Sequence, residues 1–122
     1  MSYQQQYGTL KASLASSEAL LRVTESQLQM MREEGVTDPK AERTLEQRIH
    51  RQHELIRIHG ESIRGLEATI SAMHQELKDN ELQVFELRFM KGWTVSAIAS
   101  EMHYSRERIK QIVRRVQERM RA

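Results

Sequence analysis

No cysteine occurs in the 122-residue chain. Disulfide staples, thiol catalysis and thiolate metal sites are therefore excluded together. One proline and five glycines leave few points at which a long helix must stop. Aromatic residues make up 5%, too few for a thick globular core. No window approaches the eighteen or so consecutive apolar residues of a membrane span. The opening MSYQQQYGTLK has no basic start followed by an apolar run, so no signal peptide is expected. Catalysis has no foothold either: there is no phosphate-cradling glycine loop and no Ser-His-Asp set in a supporting context. A cytoplasmic, non-enzymatic chain without cofactor, metal or membrane contact is the expectation.

What is present suits long helices washed by solvent: 39% hydrophobic and 30% charged residues. The length allows one compact domain plus an extended element, not a large enzyme core. Tyr3, Tyr7, Leu10, Leu14, Ser17, Leu21, Thr24, Leu28 and Met31 alternate in steps of four and three. So do Leu45, Ile49, Gln52, Ile56, His59, Ile63, Leu66, Ile70, Met73 and Leu77. A sustained period of 3.5 residues is the coiled-coil signature. Between the stretches, Gly35 can end one helix in a left-handed conformation, Asp38 can cap the next, and Pro39 fits its first turn. The spacing predicts helices over about 5 to 34 and 39 to 78, joined tightly enough to fold back as a hairpin.

Leu20, Val23, Met30, Leu55 and Ile58 widen these apolar seams, and a lone hairpin would leave them wet. Two hairpins would cover them, so a homodimer is expected, with Ile49, Ile56, His59, Ile63, Leu66 and Ile70 along its seam. Isoleucine at one seam position with leucine at the other also suits two parallel strands, so both topologies stay open. Gln52 and His59 read as register-setting polar residues. His50 and His53, flanked by Glu46 and Glu54, share a helix face at a spacing that is usually incidental.

Charge is distributed unevenly. Through Lys78 there are ten Lys and Arg against eleven Asp and Glu, and from His103 onward seven against two. A basic excess of that density at one end is the footprint of a polyanion-binding face. Composition also changes at Asp79-Asn80, either of which can cap a helix from Glu81 to about Lys91, with Leu82, Phe85 and Phe89 on one face. Gly92 can terminate it. Thr94 can cap a short helix through about Met102, with Ala97, Ile98 and Met102 inward. Ser105 can cap a last helix whose Ile109, Ile112, Val113 and Val116 face inward. Trp93 would plug this small core.

The segment Val95 to Ile112 has the layout of a helix-turn-helix. Ala99 is small where two helices must approach, and Ile98, Met102, Tyr104, Ile109 and Ile112 fall where the motif buries apolar groups. Arg106, Glu107, Arg108, Lys110 and Gln111 lie toward the start of the second helix, within reach of bases and phosphates. His103 stands at the turn position where glycine is usual, and a positive φ there would be slightly strained.

Glu86-Leu87-Arg88-Phe89-Met90-Lys91-Gly92-Trp93-Thr94, then Ala97-Ile98-Ala99 and Ser105-Arg106-Glu107-Arg108-Ile109-Lys110-Gln111-Ile112, resemble region four of the sigma-70 family. The resemblance covers roughly residues 79 to 121, and nothing here resembles that family's −10-recognising and melting module. It implies double-stranded DNA as partner, RNA polymerase as a further one, and reading of a −35 element by the last helix. Carried over, Arg106, Glu107 and Gln111 read bases, while Ser105, Arg108, Lys110, Arg114 and Arg115 hold phosphates. A helical N-terminus before such a module also resembles phage late-transcription regulators of the RinA and ArpU type. The expectation is an all-α protein: a dimerising helical hairpin or coiled coil over 1–78, then a three-helix DNA-binding unit over 79–122. It would regulate transcription from a phage or other mobile element. A small DNA-packaging subunit, or a polymerase-binding coiled coil without DNA specificity, are the alternatives.

Overall fold

The computed structural model describes residues 2–35 and 38–121, and the regular structure among them is entirely helical. In order these are α1 (Tyr3–Glu33), α2 (Pro39–Glu76), α3 (Asp79–Val84), a π-helical segment (Phe85–Met90), α4 (Val95–Met102) and α5 (Arg106–Arg121). The residue contacts divide the chain into two compact units. One is Thr9–Ile63; the other joins the segment ending at Gly8 to everything from Arg64 onward. The second unit therefore takes in the start of α1 and the end of α2, whereas the sequence suggested a boundary at residue 78.

In the Thr9–Ile63 unit, the residues spaced at 3.5 lie on the covered side of their helices. Every seam position of α1 and α2 in it is buried or half-buried. Gly35 adopts φ 70° after α1, and Asp38 caps α2 by accepting the Lys40 N–H at 3.1 Å and the Ala41 N–H at 3.4 Å. Val36 and Thr37 of the expected turn lie outside the described residues. Arg32 closes the hairpin end with ion pairs to Glu42 at 3.5 Å and Glu46 at 3.3 Å. Much of the covered seam is polar: Ser17, Thr24 and Gln52 are buried alongside Leu28, Leu45 and Ile63.

The two flanks of this hairpin differ. One carries ion pairs, including Arg57 to Glu54 at 2.9 Å and to Glu61 at 3.0 Å. The Arg57 hydrogen bond, and then its charge, hold the Glu54 carboxyl below the usual carboxylate range. The other flank carries Leu20, Val23, Met30 and Ile58, which are 51%, 53%, 56% and 46% exposed. Of the α2 seam isoleucines in this unit, Ile63 is buried and Ile49 and Ile56 are half-buried within the single chain.

The second unit has a denser core. Leu77, Val84, Phe85, Ile98, Ile109, Ile112 and Val116 are fully buried, and Trp93, Leu82, Phe89, Met102 and Tyr104 pack against that cluster. Tyr3 meets Phe85 edge-on at 6.1 Å, and Phe89 stacks on Phe85 at 6.0 Å. Ser2 opens α1 with a reciprocal capping box. Its Oγ accepts the Gln5 N–H at 3.2 Å, and Gln5 Oε1 accepts the Ser2 N–H at 3.1 Å. That cap explains why α1 begins at Tyr3 rather than near residue 5.

Three features of this unit differ from what the spacing predicts. Neither Asp79 nor Asn80 caps α3: Lys78 is the extended N-cap residue, without a side-chain cap, and Asp79 sits at φ 54°. The expected helix to Lys91 is not uniform, because it changes register to π at Phe85; the Lys91 N–H reaches the Glu86 carbonyl at 3.0 Å. No proline or glycine inside Glu81–Lys91 marks that change. Ala97 faces solvent. Ile98, Ala99 and Met102 take the inner stripe of α4 with Val95, leaving Ala97 on the opposite side.

Candidate nucleic-acid interface

Two αL residues and two caps place the helices that could meet DNA. Gly92, at φ 78°, ends the π segment, and the Trp93 N–H donates to the Leu87 carbonyl at 2.8 Å. A Cβ on Gly92 would come 3.1 Å from the Ser2 Cβ, a tight contact that adds to the preference of this left-handed conformation for glycine. Arg88 Nη1 donates to the Trp93 carbonyl at 2.8 Å, tying the connector down. Thr94 then caps α4, its Oγ1 accepting the Ala97 N–H at 3.1 Å.

After α4, His103 takes the left-handed conformation at φ 59° and ψ 39°. The Tyr104 N–H donates to the Ala99 carbonyl at 3.0 Å, the bond that closes a Schellman turn. Ser105 accepts the Arg108 N–H on its Oγ at 3.2 Å and so caps α5. The sequence had already marked His103 as the residue replacing a glycine, and the backbone confirms the positive φ. Ser105, expected at a phosphate, has its hydroxyl engaged as this cap.

Helix α5 separates its faces sharply. Ile109, Ile112 and Val116 are buried, whereas Arg106, Glu107, Arg108, Lys110, Gln111, Arg114 and Arg115 are exposed. At 3.6 residues per turn, Arg106, Glu107, Lys110, Gln111 and Arg114 fall within an arc of about 140°, opposite the buried stripe. Arg108 and Arg115 lie together at one edge of that arc. The structure thus brings all three expected base readers onto one face, with Lys110 and Arg114 among them.

Not every cation on α5 is equally available. Lys110 Nζ lies 3.4 Å from Glu107 Oε1. Arg119 lies 3.7 Å from Glu81 and reaches the Glu76 carbonyl at 3.3 Å, which ties the helix's far end to α2 and α3. Arg108 instead holds its guanidinium carbon 4.5 Å from the centroid of the Tyr104 ring. Sequence reasoning treated Tyr104 simply as a buried apolar group. The i, i+4 spacing of an aromatic and an arginine was the available signal for the stack, although Tyr104 lies just outside the helix.

Neither curated proteins nor solved structures gave a match to the chain. The family model described as Sigma-70, region 4 matches residues 75–122, a segment that includes α3, the π segment, α4 and α5. With the capped turn and exposed basic helix in place, that final segment is a sigma-70 region-4-like, DNA-binding helix-turn-helix.

Proposed function

We propose that this protein is a sequence-specific transcription regulator that places α5 in the major groove of promoter or operator DNA. The observation that carries the reading is the exposed arc of Arg106, Glu107, Lys110, Gln111 and Arg114 on a helix held by a fixed turn. Chemistry distinguishes the roles within that arc. Arg106 can pair bidentately with guanine, Gln111 with adenine, and Glu107 can accept from cytosine. Lys110, Arg114, Arg108 and Arg115 supply positive charge to phosphates, which fixes register without reading sequence. No chemistry on a substrate is assigned to the chain.

RNA polymerase is proposed as a second partner, on the strength of the region-four likeness of residues 75–122. Origin in a phage or other mobile element rests on the architectural resemblance to late-transcription regulators. The working unit is a homodimer. Its supporting surface is a groove lined by Leu20, Val23 and Gln27 on one side and Arg48, Arg51 and Leu55 on the other, on the flank of exposed aliphatics. A second copy supplies the same apolar stripe, which is what an isologous contact requires. Sedimentation equilibrium at micromolar concentration is expected to give twice 14.4 kDa; a clean monomer contradicts the dimer.

The functional test is selection of bound DNA from a random pool, followed by footprinting with and without polymerase. A defined upstream site protected by the protein alone supports the regulator. Protection that appears only with polymerase, or no enriched sequence, contradicts it.

A further inference from the structure

We propose that Tyr104 is a positioning residue for DNA binding: its ring holds the Arg108 guanidinium in the orientation that meets a backbone phosphate. The inference rests on the DNA-binding reading of α5 and adds to it a residue with no charge and no DNA contact of its own.

The geometry fixes Arg108 at both ends. Its own N–H is engaged by the Ser105 hydroxyl at 3.2 Å, in the first turn of α5. Its guanidinium carbon stands 4.5 Å from the Tyr104 ring centroid. Tyr104 in turn is anchored: it is half-buried against the hydrophobic cluster, follows the left-handed His103, and has its N–H bonded to the Ala99 carbonyl at 3.0 Å. A guanidinium carbon held over a neutral ring leaves N–H donors of the group free to grip a phosphate.

The arrangement differs from those of the other paired cations on α5. Lys110 and Arg119 rest against carboxylates, Glu107 and Glu81, so DNA must displace an anion to gain their full charge. Arg108 rests against a neutral ring and loses none of its charge there. An exposed arginine surrenders rotamer freedom when it binds, and a side chain already held loses less. Tyr104 therefore raises affinity by ordering Arg108 beforehand, not by adding a contact.

The test is a double-mutant cycle on the full chain, with Tyr104→Leu, Arg108→Ala and the pair, binding the selected DNA across a salt titration. Tyr104→Leu is expected to weaken binding about two- to fivefold with the salt slope unchanged, since the charge remains. Arg108→Ala is expected to lower the slope by about one. In the Arg108→Ala background, Tyr104→Leu is expected to cost nothing further, and Tyr104→Phe to bind as the unaltered protein does. An equal loss from Tyr104→Leu in both backgrounds makes Tyr104 mere core support and overturns the proposal, as does no loss in either. Arg108→Lys keeps the charge but not the guanidinium over the ring, and it lies at the surface where folding is not at issue. It is expected to lose affinity at unchanged slope, and full affinity in that variant also overturns the proposal. A protein that fails to bind DNA at all overturns this and the functional reading together; salt-dependent binding with no coupling between Tyr104 and Arg108 overturns this alone.

Discussion

The Thr9–Ile63 hairpin and the unit that ends in the helix-turn-helix are built from the same kind of helix but bury very different things. The fully buried Leu77, Val84, Phe85, Ile98, Ile109, Ile112 and Val116 all belong to the latter. In the hairpin, half of the buried residues are polar, and His59 Nδ1 is buried without a hydrogen-bond partner. Four large aliphatics of the hairpin stay in water. The second unit gathers α3, the π segment, α4 and α5 with the start of α1 and the end of α2 around one dense core, and that core holds α5. Two helices joined side by side have no inner layer, so their seam tolerates polar residues and leaves apolar surface to be covered. The contrast teaches that the reading helix and the surface proposed for dimerisation rest on separate energetic foundations.

The largest expected effect lies in the core of the second unit. Phe85→Ala should destabilise the protein by about 3–5 kcal/mol, because the ring is fully buried among Tyr3, His74 and Phe89. Ile56→Ala, half-buried in the hairpin, should cost about half as much. Urea unfolding of both variants checks this, and equal costs break the comparison. Next comes Ile63→Asp, which puts an unpaired charge at a covered seam position and should cost several kcal/mol. Thermal melts followed by helicity would show it; a cost near zero would mean that the seam is open to water.

Smaller changes sharpen the contrast in the opposite direction. His59→Leu removes the unpartnered ring nitrogen and should stabilise the protein by about 1–2 kcal/mol. A loss of stability would show that His59 has a partner in solution, a second copy being the candidate, and the sedimentation profile of the variant would decide that. His103→Gly relieves a left-handed conformation and should gain about 0.5–1 kcal/mol without changing DNA affinity. If DNA affinity falls instead, the imidazole itself takes part in binding.

Much of this architecture could be read from residue spacing. The two seams, the caps at Asp38, Thr94 and Ser105, the left-handed Gly35, Gly92 and His103, and the inward stripe of α5 all follow from local chemistry that the fold leaves undisturbed. The capping box of Ser2 and Gln5 is legible too, as Ser-x-x-Gln. Other features depend on tertiary partners. Tyr3 continues the heptad pattern without a break, so nothing local shows that it leaves the hairpin to pack on Phe85. The π register from Phe85 to Met90 has no local sequence signal, and the positive φ of Asp79 has only the general tolerance of aspartate for that conformation. Alanine suits either environment, so Ala97 does not mark its own face, and the larger Val95 and Ile98 decide which side of α4 is buried. At the interface, residue identity gave the exposed arginines, lysine and glutamine. Which of them are already engaged, by Glu107, Glu81 or the Tyr104 ring, needed three dimensions.

The central claim is that α5 reads DNA with some side chains and only holds it with others. Binding of Gln111→Ala and Lys110→Ala to the selected site and to scrambled DNA, each across a salt titration, tests it most directly. Gln111→Ala should lose about 1–3 kcal/mol of discrimination at particular base pairs with little change in salt slope. Lys110→Ala should weaken binding about equally on both DNAs and lower the slope by roughly one. If the two variants lose affinity in the same sequence-independent way, the base-reading assignment is contradicted; if neither changes binding, α5 is not the helix that meets DNA.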